Sequence, residues 1–460
     1  MADSEVLSDQ EVVVIGGGLA GCECALQLAK RNVSVRLIEQ RPLVSSPAHH
    51  TDGLAELVCS NSLKSLRFDS AAGLLKRELV LMGSSLMELA LSSRVQAGGA
   101  LAVDREEFSQ RVTEAIECNP HITLIREEAT EIPQGPAVIA AGPLCSDTLF
   151  EAILDAVGGQ YGSFYDAAAP IVDATTIDRN IVFAQSRYEQ EGSGDYLNCP
   201  MNREQYEAFI HELVSADRVI ARSFEQTDLF CACQPVEEIA RTGIDSLRFG
   251  ALKPVGLTDP ATQKRPWAAV QLRAETSSAA AYNLVGFQTN LTWPEQRRVF
   301  RMIPGLEHAE FFRYGVMHRN SFIDSPKVLD ATFAIPCTTT RFAGQITGTE
   351  GYTEAIASGL LAALNTYAQL TGASYVELPK TGAFGSLVQW ATSEAIDNYQ
   401  PMHVNFGIFP PLEHAPRRKR ERYAAYATRA LEDLTAYIDS RADLFSKGAC
   451  AIDNTVFEHE

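Results

Sequence analysis

Residues 16–21, Gly-Gly-Gly-Leu-Ala-Gly, match the pattern G-x-G-x-x-G and stand directly after the β-branched run Glu11–Ile15. In such a turn the first glycine permits a tight bend, the second lets the backbone approach a pyrophosphate, and the third lets helix and strand pack closely. The positive end of the helix that follows attracts the phosphate charge. The sequence therefore predicts a dinucleotide pyrophosphate site built from Gly16, Gly17, Gly18, Leu19, Ala20 and Gly21.

An acidic side chain, Glu39, closes the next apolar segment, 18 residues beyond Gly21. A carboxylate at this place accepts hydrogen bonds from the adenosine ribose hydroxyls and disfavours a 2′-phosphate. A glycine-rich turn without a ligand is the alternative, and the complete strand, turn, helix and acidic residue argue against it. We therefore expect Glu39 to belong to the cofactor site.

Two further stretches indicate FAD rather than NAD. Residues 137–143 resemble the apolar strand and small-residue turn of two-dinucleotide-type flavoproteins, and residues 341–348 resemble their C-terminal flavin segment, which ends here at Gly348. In those proteins a second helix start contacts the ribityl chain and the isoalloxazine C2 oxygen. A helix end there stabilises the negative charge of a reduced flavin. Ordinary strand–turn–helix packing is the alternative for each stretch.

These residues need a parallel α/β scaffold to position them, and the apolar pattern predicts one. Strands are expected over Glu11–Ile15 and residues 33–38, with a helix over residues 21–30 between them, as in a βαβ unit. Helices are also expected over residues 70–90, 104–117, 352–370 and much of 417–446. Strands are also expected over residues 122–125 and 137–141.

The middle of the chain differs in character, because aromatic residues become frequent and turn signals interrupt short β-like runs. Strands are expected over residues 270–273 and 283–288, and an amphipathic helix over residues 203–214. The predicted fold is therefore α/β, a Rossmann-like FAD-binding domain with an inserted α+β domain. Its expected parts are residues 1–172 for the first half of the FAD-binding domain, 173–335 for the insertion, and 336–460 for the second half with C-terminal helices.

Composition narrows the class of protein. The 460 residues are 46% hydrophobic and 21% charged, a balance typical of folded proteins, and neither a membrane span nor a secretory signal is expected. Ten scattered cysteines, without the ligand spacing of a zinc site, favour a reduced cytoplasmic protein without metal. The net charge of −19 argues against a nucleic-acid partner, although a local basic patch acts within a Debye length of about 8–10 Å.

Seven stretches carry a resemblance to a known family. They include VCSNS at residues 58–62 and GQITGTEGY at residues 344–352, and the full set is residues 49–62, 97–106, 195–201, 233–238, 252–257, 313–320 and 344–352. In colinear order from about Val12 to Pro411 they resemble the folate- and FAD-dependent tRNA (uracil-5-)-methyltransferases of the TrmFO type. The resemblance implies 5-methyluridine formation at position 54 in the T loop of tRNA. It also implies 5,10-methylenetetrahydrofolate as carbon donor and reduced FAD as reductant, recharged by NAD(P)H.

Cys59 and Cys233 match the two cysteines of the family pattern. A thiolate that adds to carbon 6 of uracil makes carbon 5 nucleophilic toward a one-carbon electrophile. Cys233 is favoured as this nucleophile because it lies in the inserted domain, whereas Cys59 follows the first βαβ unit closely and is expected near the flavin. The polar turn around Cys59 is expected to open a helix. For Cys199 a functional role and a packing role are both open. The other cysteines are expected to be small buried hydrophobic residues.

Other side chains are weaker candidates. The resemblance suggests that His318 and Arg319 line the folate site, with packing as the alternative for the histidine. Lys253 and Arg273 are candidates for the folate tail or RNA phosphate, with surface solvation as an equal alternative. The basic run at residues 417–422, with a lesser one at Arg297 and Arg298, is a candidate for phosphate contact or a solvated helix face.

Two rival functions remain beside tRNA methylation. The same folate–flavin chemistry can act on a ribosomal RNA uridine, because the reaction at the base is identical. A flavin-dependent NAD(P)H oxidase without RNA activity is the other rival. The presence of both Cys59 and Cys233 argues against the oxidase, because an oxidase needs no nucleophile.

Overall fold

The computed structural model describes residues 11–46, 48–159, 161–187, 194–219, 234–396 and 399–445. The strands, in chain order, are β1 (Glu11–Ile15), β2 (Ser34–Glu39), β3 (Ser62–Ser65), β4 (Arg94–Val95), β5 (Ala100–Val103), β6 (Ile122–Arg126), β7 (Ala137–Ile139), β8 (Tyr161–Ala167), β9 (Ile171–Asp173), β10 (Phe183–Ala184), β11 (Tyr196–Met201), β12 (Ala268–Ala274), β13 (Ala281–Leu284), β14 (Phe311–Arg313), β15 (Met317–Ile323) and β16 (Thr340–Phe342).

The α-helices complete the two domains. In chain order they are α1 (Leu19–Ala29), α2 (Ala71–Leu81), α3 (Ser85–Ser92), α4 (Arg105–Glu117), α5 (Asp147–Ala156), α6 (Arg203–Ser215), α7 (Val236–Arg241), α8 (Ser246–Phe249), α9 (Trp293–Phe300), α10 (Ser325–Val328), α11 (Tyr352–Thr371), α12 (Ala383–Ala391) and α13 (Lys419–Ser440). Short 3₁₀ turns lie at Ala174–Thr176, Gln345–Thr347 and Phe406–Ile408.

A five-stranded parallel sheet of order β16-β7-β1-β2-β6 forms the first domain. The central strand β1 is buried on both faces, and its Val12 and Val14 are fully inaccessible to solvent. Continuous β-branched burial of this kind is typical of a strand covered by helices on both sides. The sheet places the turn after β1 beside the ends of β2 and β7.

Helices α1 and α11 pack directly against each other under this sheet. A Cβ atom added at Gly359 of α11 would lie 2.1 Å from the carbonyl oxygen of Ala20 in α1, so only glycine allows this close approach. Every residue of α1 is buried. The contact fixes the starts of the two helices relative to each other.

A second sheet, of order β10-β11-β12-β13-β9-β14, is antiparallel and covers residues from Ile171 to Arg313. Helix α6 begins with a capping box in which Asn202 and Gln205 satisfy each other's backbone N–H groups. Phe209 of α6 and Phe300 of α9 are fully buried in an apolar core of their own. The predicted fold class, a Rossmann-like α/β domain with an inserted α+β domain, is confirmed.

Two small β structures accompany the main sheets. β8 pairs antiparallel with β15, so the chain enters and leaves the second domain as one ribbon. β3, β5 and β4 form a three-stranded sheet beside the first domain.

The seam between the two domains is largely polar. Arg105 of α4 forms an ion pair with Glu275, with 2.8 Å between Nη2 and Oε2. Arg273 donates a 2.8 Å hydrogen bond to the side chain of Asn61, and the backbone N–H of Ser277 donates one of 2.9 Å to Asp104. The buried apolar clusters of the two domains are separate.

Most of the predicted elements are present with shifted ends. Residues 70–90, which were expected to form one or two helices, form two, α2 and α3, and each begins at a serine cap. One expectation was wrong: the turn at Cys59 leads into strand β3, not into a helix, because Ser62 and Ser65 pair with β5. In the described part of the chain, no helix combines the length and apolar composition that a membrane crossing requires.

Candidate active site

The glycines Gly16, Gly18 and Gly21 of the turn after β1 differ in their surroundings. Gly16 has a φ of 103°, and a Cβ atom there would lie 2.4 Å from the Ala140 carbonyl oxygen. A Cβ atom at Gly21 would lie 1.8 Å from the Gly16 carbonyl oxygen, so this glycine lets α1 approach β1. A Cβ atom at Gly18 would meet nothing within 4 Å, because this position faces open space. Gly18 is thus the position at which the backbone can be approached from outside.

Glu39 ties the glycine turn to the end of β2. Its Oε2 accepts a 2.7 Å hydrogen bond from the Gly17 N–H, and its Oε1 accepts one of 2.8 Å from Arg41 Nε. Burial alone would raise the pKa of Glu39, but the hydrogen bond and charge of Arg41 outweigh it and leave the pKa below its usual value. The carboxylate therefore stays ionised while it holds the turn.

A cavity of about 400 Å³ opens in front of these residues. Two helix starts meet in its wall: Gly18, Leu19 and Ala20 from α1, and Gly351 to Ala355 from α11. Neither helix start is capped by a side chain. Other residues in the wall are Glu39, Arg41, His49, Glu56, Cys59, Lys64, Ala140, Gly142, Cys145, Asn320, Gly344, Gln345 and Glu350.

The C-terminal segment shapes the same cavity. Gly344 has a φ of 83°, its N–H donates a 2.6 Å hydrogen bond to Ser358 Oγ, and it lies in the cavity wall. Gly348 has a φ of 78° and lies against Tyr399, since a Cβ atom there would be 2.3 Å from the phenol oxygen. Gly348 therefore shapes the turn behind the wall, as do Gly17 and Gly21 at the other helix start.

These features fit FAD. The space beside Gly18 leaves room for a pyrophosphate, which the uncapped start of α1 would attract. Glu39 offers a carboxylate to ribose hydroxyls from the same wall. The uncapped start of α11 supplies a second positive helix end, suited to the pyrimidine edge of a flavin.

Cys59 lies in the wall of this cavity and is partly exposed. The phenol oxygen of Tyr352, the first residue of α11, accepts a 2.8 Å hydrogen bond from the Cys59 N–H and one of 3.2 Å from the Ser60 N–H. Burial, followed by the nearby Cys59, raises the pKa of Tyr352. The phenol therefore remains neutral and anchors the cysteine backbone.

Two arginines hold the residues just before Cys59. Arg105 Nη1 donates to the Leu57 carbonyl oxygen, and Arg313 Nη2 donates a 2.7 Å hydrogen bond to the Val58 carbonyl oxygen. Both guanidinium groups are close enough to interact electrostatically with Cys59. Arg313 belongs to β14 of the second domain, so both domains position this cysteine.

The other cysteines differ in burial, and the expectation of burial was wrong for Cys118 and Cys337, which are exposed. Cys233 lies outside the described residues, so its position relative to the cavity stays a prediction. Cys22, Cys24 and Cys199 are fully buried, and burial raises the pKa of each thiol. They are structural thiols.

Strand β15 carries the expected folate residues. The backbone of His318 and Arg319 lies in this strand, next to Asn320; the side chains of the first two are outside the described part of the structure. Asn320 is 2% exposed and lines the cavity, and its Oδ1 has no hydrogen-bond partner among the described residues. A buried acceptor left open in a cavity wall suits the N–H group of a ligand.

Several side chains of the site were not expected from the sequence. Tyr352, Arg105 and Arg313 hold the Cys59 segment; each lies in a stretch that carries the family resemblance, but no role at the cysteine was expected for it. His49 also lines the cavity; burial and the charge of Arg41 lower its pKa to about 4, so it is neutral near pH 7. Of the two alternatives for Arg273, surface solvation was wrong, because the residue is buried in the domain seam and donates to Asn61.

Comparison with known proteins identifies close relatives. The family described as Glucose inhibited division protein A matches residues 11–374. Proteins named methylenetetrahydrofolate–tRNA-(uracil-5-)-methyltransferase TrmFO are 52% identical in Acetivibrio thermocellus and 53% identical in Geobacter sulfurreducens. The alignments cover 92% and 93% of this chain and 98% of each relative. The Bacillus cereus protein of that name is 49% identical over 94% of this chain and all of its own length.

Solved structures show the same fold. GidA of Aquifex aeolicus superimposes with a TM-score of 0.66 at 15% sequence identity, over 95% of this chain and 77% of that one. A second crystal form gives a TM-score of 0.65. At this identity the likeness concerns the fold.

Proposed function

Because the chain belongs to the TrmFO family of methylenetetrahydrofolate–tRNA-(uracil-5-)-methyltransferases, we propose that it methylates carbon 5 of uridine 54 in the T loop of tRNA. The one-carbon unit comes from 5,10-methylenetetrahydrofolate, and the reducing equivalents come from FAD that NAD(P)H has reduced. A cytoplasmic location accords with a tRNA substrate.

One observation supports this proposal above the others. Cys59 lies in the wall of the same cavity as the open face of Gly18 and the two uncapped helix starts. A cavity that joins a dinucleotide turn to a positioned thiol suits an enzyme that combines flavin chemistry with thiol chemistry. An oxidase would have no use for this thiol.

The proposed reaction uses a cysteine as a covalent catalyst. A thiolate adds to carbon 6 of uracil, and the electron pair of the double bond moves to make an enolate with a nucleophilic carbon 5. Carbon 5 attacks the folate methylene, and the new carbon–carbon bond forms as one of the two carbon–nitrogen bonds of the methylene breaks. Loss of the carbon 5 proton breaks the remaining carbon–nitrogen bond, which releases tetrahydrofolate and leaves an exocyclic methylene group on the ring. When bound, reduced FAD would supply the hydride that converts this methylene to a methyl group, and the resulting enolate expels the thiolate and restores the ring double bond.

The residues of this chain prepare the site for that reaction. We assign the attack on carbon 6 to Cys233 and the role of a thiol near the flavin to Cys59. Tyr352, Arg105 and Arg313 fix the backbone of the Cys59 segment, so its sulfur is held in the cavity wall. Gly16 to Gly21, Glu39 and the start of α11 would hold FAD, and His318 and Arg319 are the proposed folate contacts.

Isotope labelling tests the overall reaction. Purified protein with unmodified tRNA, NADH and methylene-labelled folate should place the label in 5-methyluridine at position 54. Labelled S-adenosylmethionine should give none. Incorporation of label from S-adenosylmethionine alone would contradict the folate route. Methylation of ribosomal RNA but not of tRNA would show that ribosomal RNA is the substrate.

A trapping experiment tests the roles of the cysteines. RNA with 5-fluorouridine at the target position cannot lose a proton from carbon 5, so the covalent adduct accumulates. Peptide mapping should find the RNA on Cys233, and the adduct should be absent from Cys233→Ala protein. An adduct on Cys59 that also forms in Cys233→Ala protein would reverse the two roles.

A further inference from the structure

The start of helix α13 concentrates positive charge on an otherwise acidic chain. Residues 417–422 contain five basic side chains and one acidic side chain, whereas the net charge of the whole protein is −19. Arg418 is the N-terminal capping residue, and its side chain is 84% exposed. Its ion pair with Glu421, at 3.2 Å, is a surface pair of the kind that contributes little.

This placement does not help the helix itself. A helix start carries partial positive charge, so acidic side chains stabilise it and basic ones oppose it. The start of α2 lies beside it, since Arg420 Nε is 3.1 Å from the carboxylate of Asp69, next to the capping residue Ser70. Two positive helix ends and the basic side chains therefore reinforce one another, which favours an anion at this surface.

The positive surface continues to the cavity. Arg67 donates two hydrogen bonds of 2.9 and 2.7 Å to Asp69, and Arg420 Nε lies 3.1 Å from the same carboxylate. Lys64 is exposed, lies three residues before Arg67, and forms part of the cavity wall. Three residues span at most about 10 Å of chain, which is near the Debye length at physiological salt.

Aromatic rings support some of these cations. The Lys419 ammonium and the Arg422 guanidinium lie 5.4 and 5.9 Å from the ring centre of Tyr423, and that ring packs 4.4 Å from Phe406. Such contacts restrict the rotation of long side chains, so less entropy is lost when they bind phosphate.

From these observations we propose that Lys64, Arg67, Arg418, Lys419, Arg420 and Arg422, here called the α13 basic surface, bind the phosphodiester backbone of the substrate RNA. The inference rests on the proposed function, because it requires an RNA whose target base enters the cavity. The surface leads from Lys64 in the cavity wall to α13, so it would hold phosphates that flank the reacting nucleotide. It also explains how an acidic protein engages a polyanion, since screening limits the opposing charges to short range.

Charge reversal at Arg418, which is exposed, and at Arg422, which is half-buried, tests the surface. Arg418→Glu/Arg422→Glu protein should bind unmodified tRNA about 10- to 100-fold more weakly at low salt in a filter-binding assay. The slope of log affinity against log salt should fall by about 1 to 2, one phosphate contact per residue. Arg418→Lys/Arg422→Lys protein keeps the charges and should bind within a few fold of wild type.

A matched control distinguishes the effect of this surface on tRNA affinity from the effect of net charge. Lys264→Glu/Arg265→Glu changes the net charge equally, at exposed positions outside the cavity wall, and should leave tRNA affinity nearly unchanged. Bound FAD absorbance and thermal stability report on correct folding of each variant. Equal losses in both charge-reversed proteins, or none in either, would overturn the α13 basic surface. Wild-type protein that binds no tRNA would instead contradict the proposed function.

Discussion

The phenol oxygen of Tyr352 accepts a 2.8 Å hydrogen bond from the backbone N–H of Cys59. The two residues are 293 positions apart in the chain, and each lines the cavity. Tyr352 also begins the helix whose start faces the proposed flavin position, so one residue links the thiol to the cofactor wall.

Removing this acceptor should loosen the cysteine without removing it. Tyr352→Phe leaves the N–H groups of Cys59 and Ser60 without their partner, and an unpaired buried donor costs about 1–3 kcal/mol. We expect kcat for RNA methylation to fall about 10-fold or more, while Cys59 remains present. Tyr437→Phe is the matched control, because that phenol also accepts from a backbone N–H, of Glu377, far from the cavity. Similar rates for the two variants would contradict the positioning role.

The open face of Gly18 predicts a selective loss of FAD. Gly18→Ala should fold normally, because its Cβ atom meets no protein atom within 4 Å and its φ of −79° suits alanine. The methyl group would occupy the space of the pyrophosphate, so the purified protein should lose most of its yellow colour. Gly99→Ala, where the nearest atom is 3.9 Å away, should keep FAD. Full FAD content in both proteins would place the pyrophosphate elsewhere.

Because of the ion pair between Arg105 and Glu275, we expect the stability of the domain seam and the activity of the site to change together. Glu275→Gln leaves the buried guanidinium without its charged partner, which typically destabilises by about 3–5 kcal/mol. The melting temperature and the methylation rate should fall together, because Arg105 also holds the Leu57 carbonyl. Glu107→Gln removes the exposed Arg111 pair and should change stability by less than about 1 kcal/mol. Equal melting temperatures for the two variants would exclude the coupling.

Buried Glu78 predicts a dependence of stability on pH. Its carboxyl group accepts hydrogen bonds from the Ala383 and Phe384 N–H groups at the start of α12, and burial raises its pKa to about 7. The pKa of this carboxyl group is about 4.5 in the unfolded chain and higher in the folded protein. The protonated group therefore contributes stability that is fully present below pH 4.5 and is lost as the pH rises through 7. The melting-temperature difference between wild-type and Glu78→Gln proteins should therefore shrink from pH 5 to pH 8. A difference that grows over this range would show the opposite shift.

The open acceptor of Asn320 predicts opposite changes in stability and binding. Asn320→Leu removes a buried oxygen that has no partner among the described residues, so the ligand-free protein should be as stable as wild type or more so. A ligand N–H would lose its acceptor, and affinity should fall about 10-fold. FAD retention and the KM for methylenetetrahydrofolate, measured separately, show which ring system donates. Unchanged values for both would leave the residue with a packing role.

The sequence predicted the parts of the site that are local in the chain. The glycine turn, Glu39 and the segment around Gly344 combine a short motif with the strand or helix beside it, so pattern and chemistry coincide. Local pattern was not sufficient at the Cys59 turn. The chain continues there as β3 because it pairs with β5, almost 40 residues later. Tyr352, Arg105 and Arg313 meet at Cys59 only because the two domains fold together, and no spacing rule encodes that meeting.

The polar seam between the domains has a thermodynamic consequence. Its contacts are ion pairs and hydrogen bonds, such as those of Arg273 and Asp104, and each domain keeps a separate apolar core. On unfolding, exposed apolar surface raises the heat capacity and exposed polar surface lowers it. The heat-capacity increase therefore comes from the two separate apolar cores, and the polar seam opposes it.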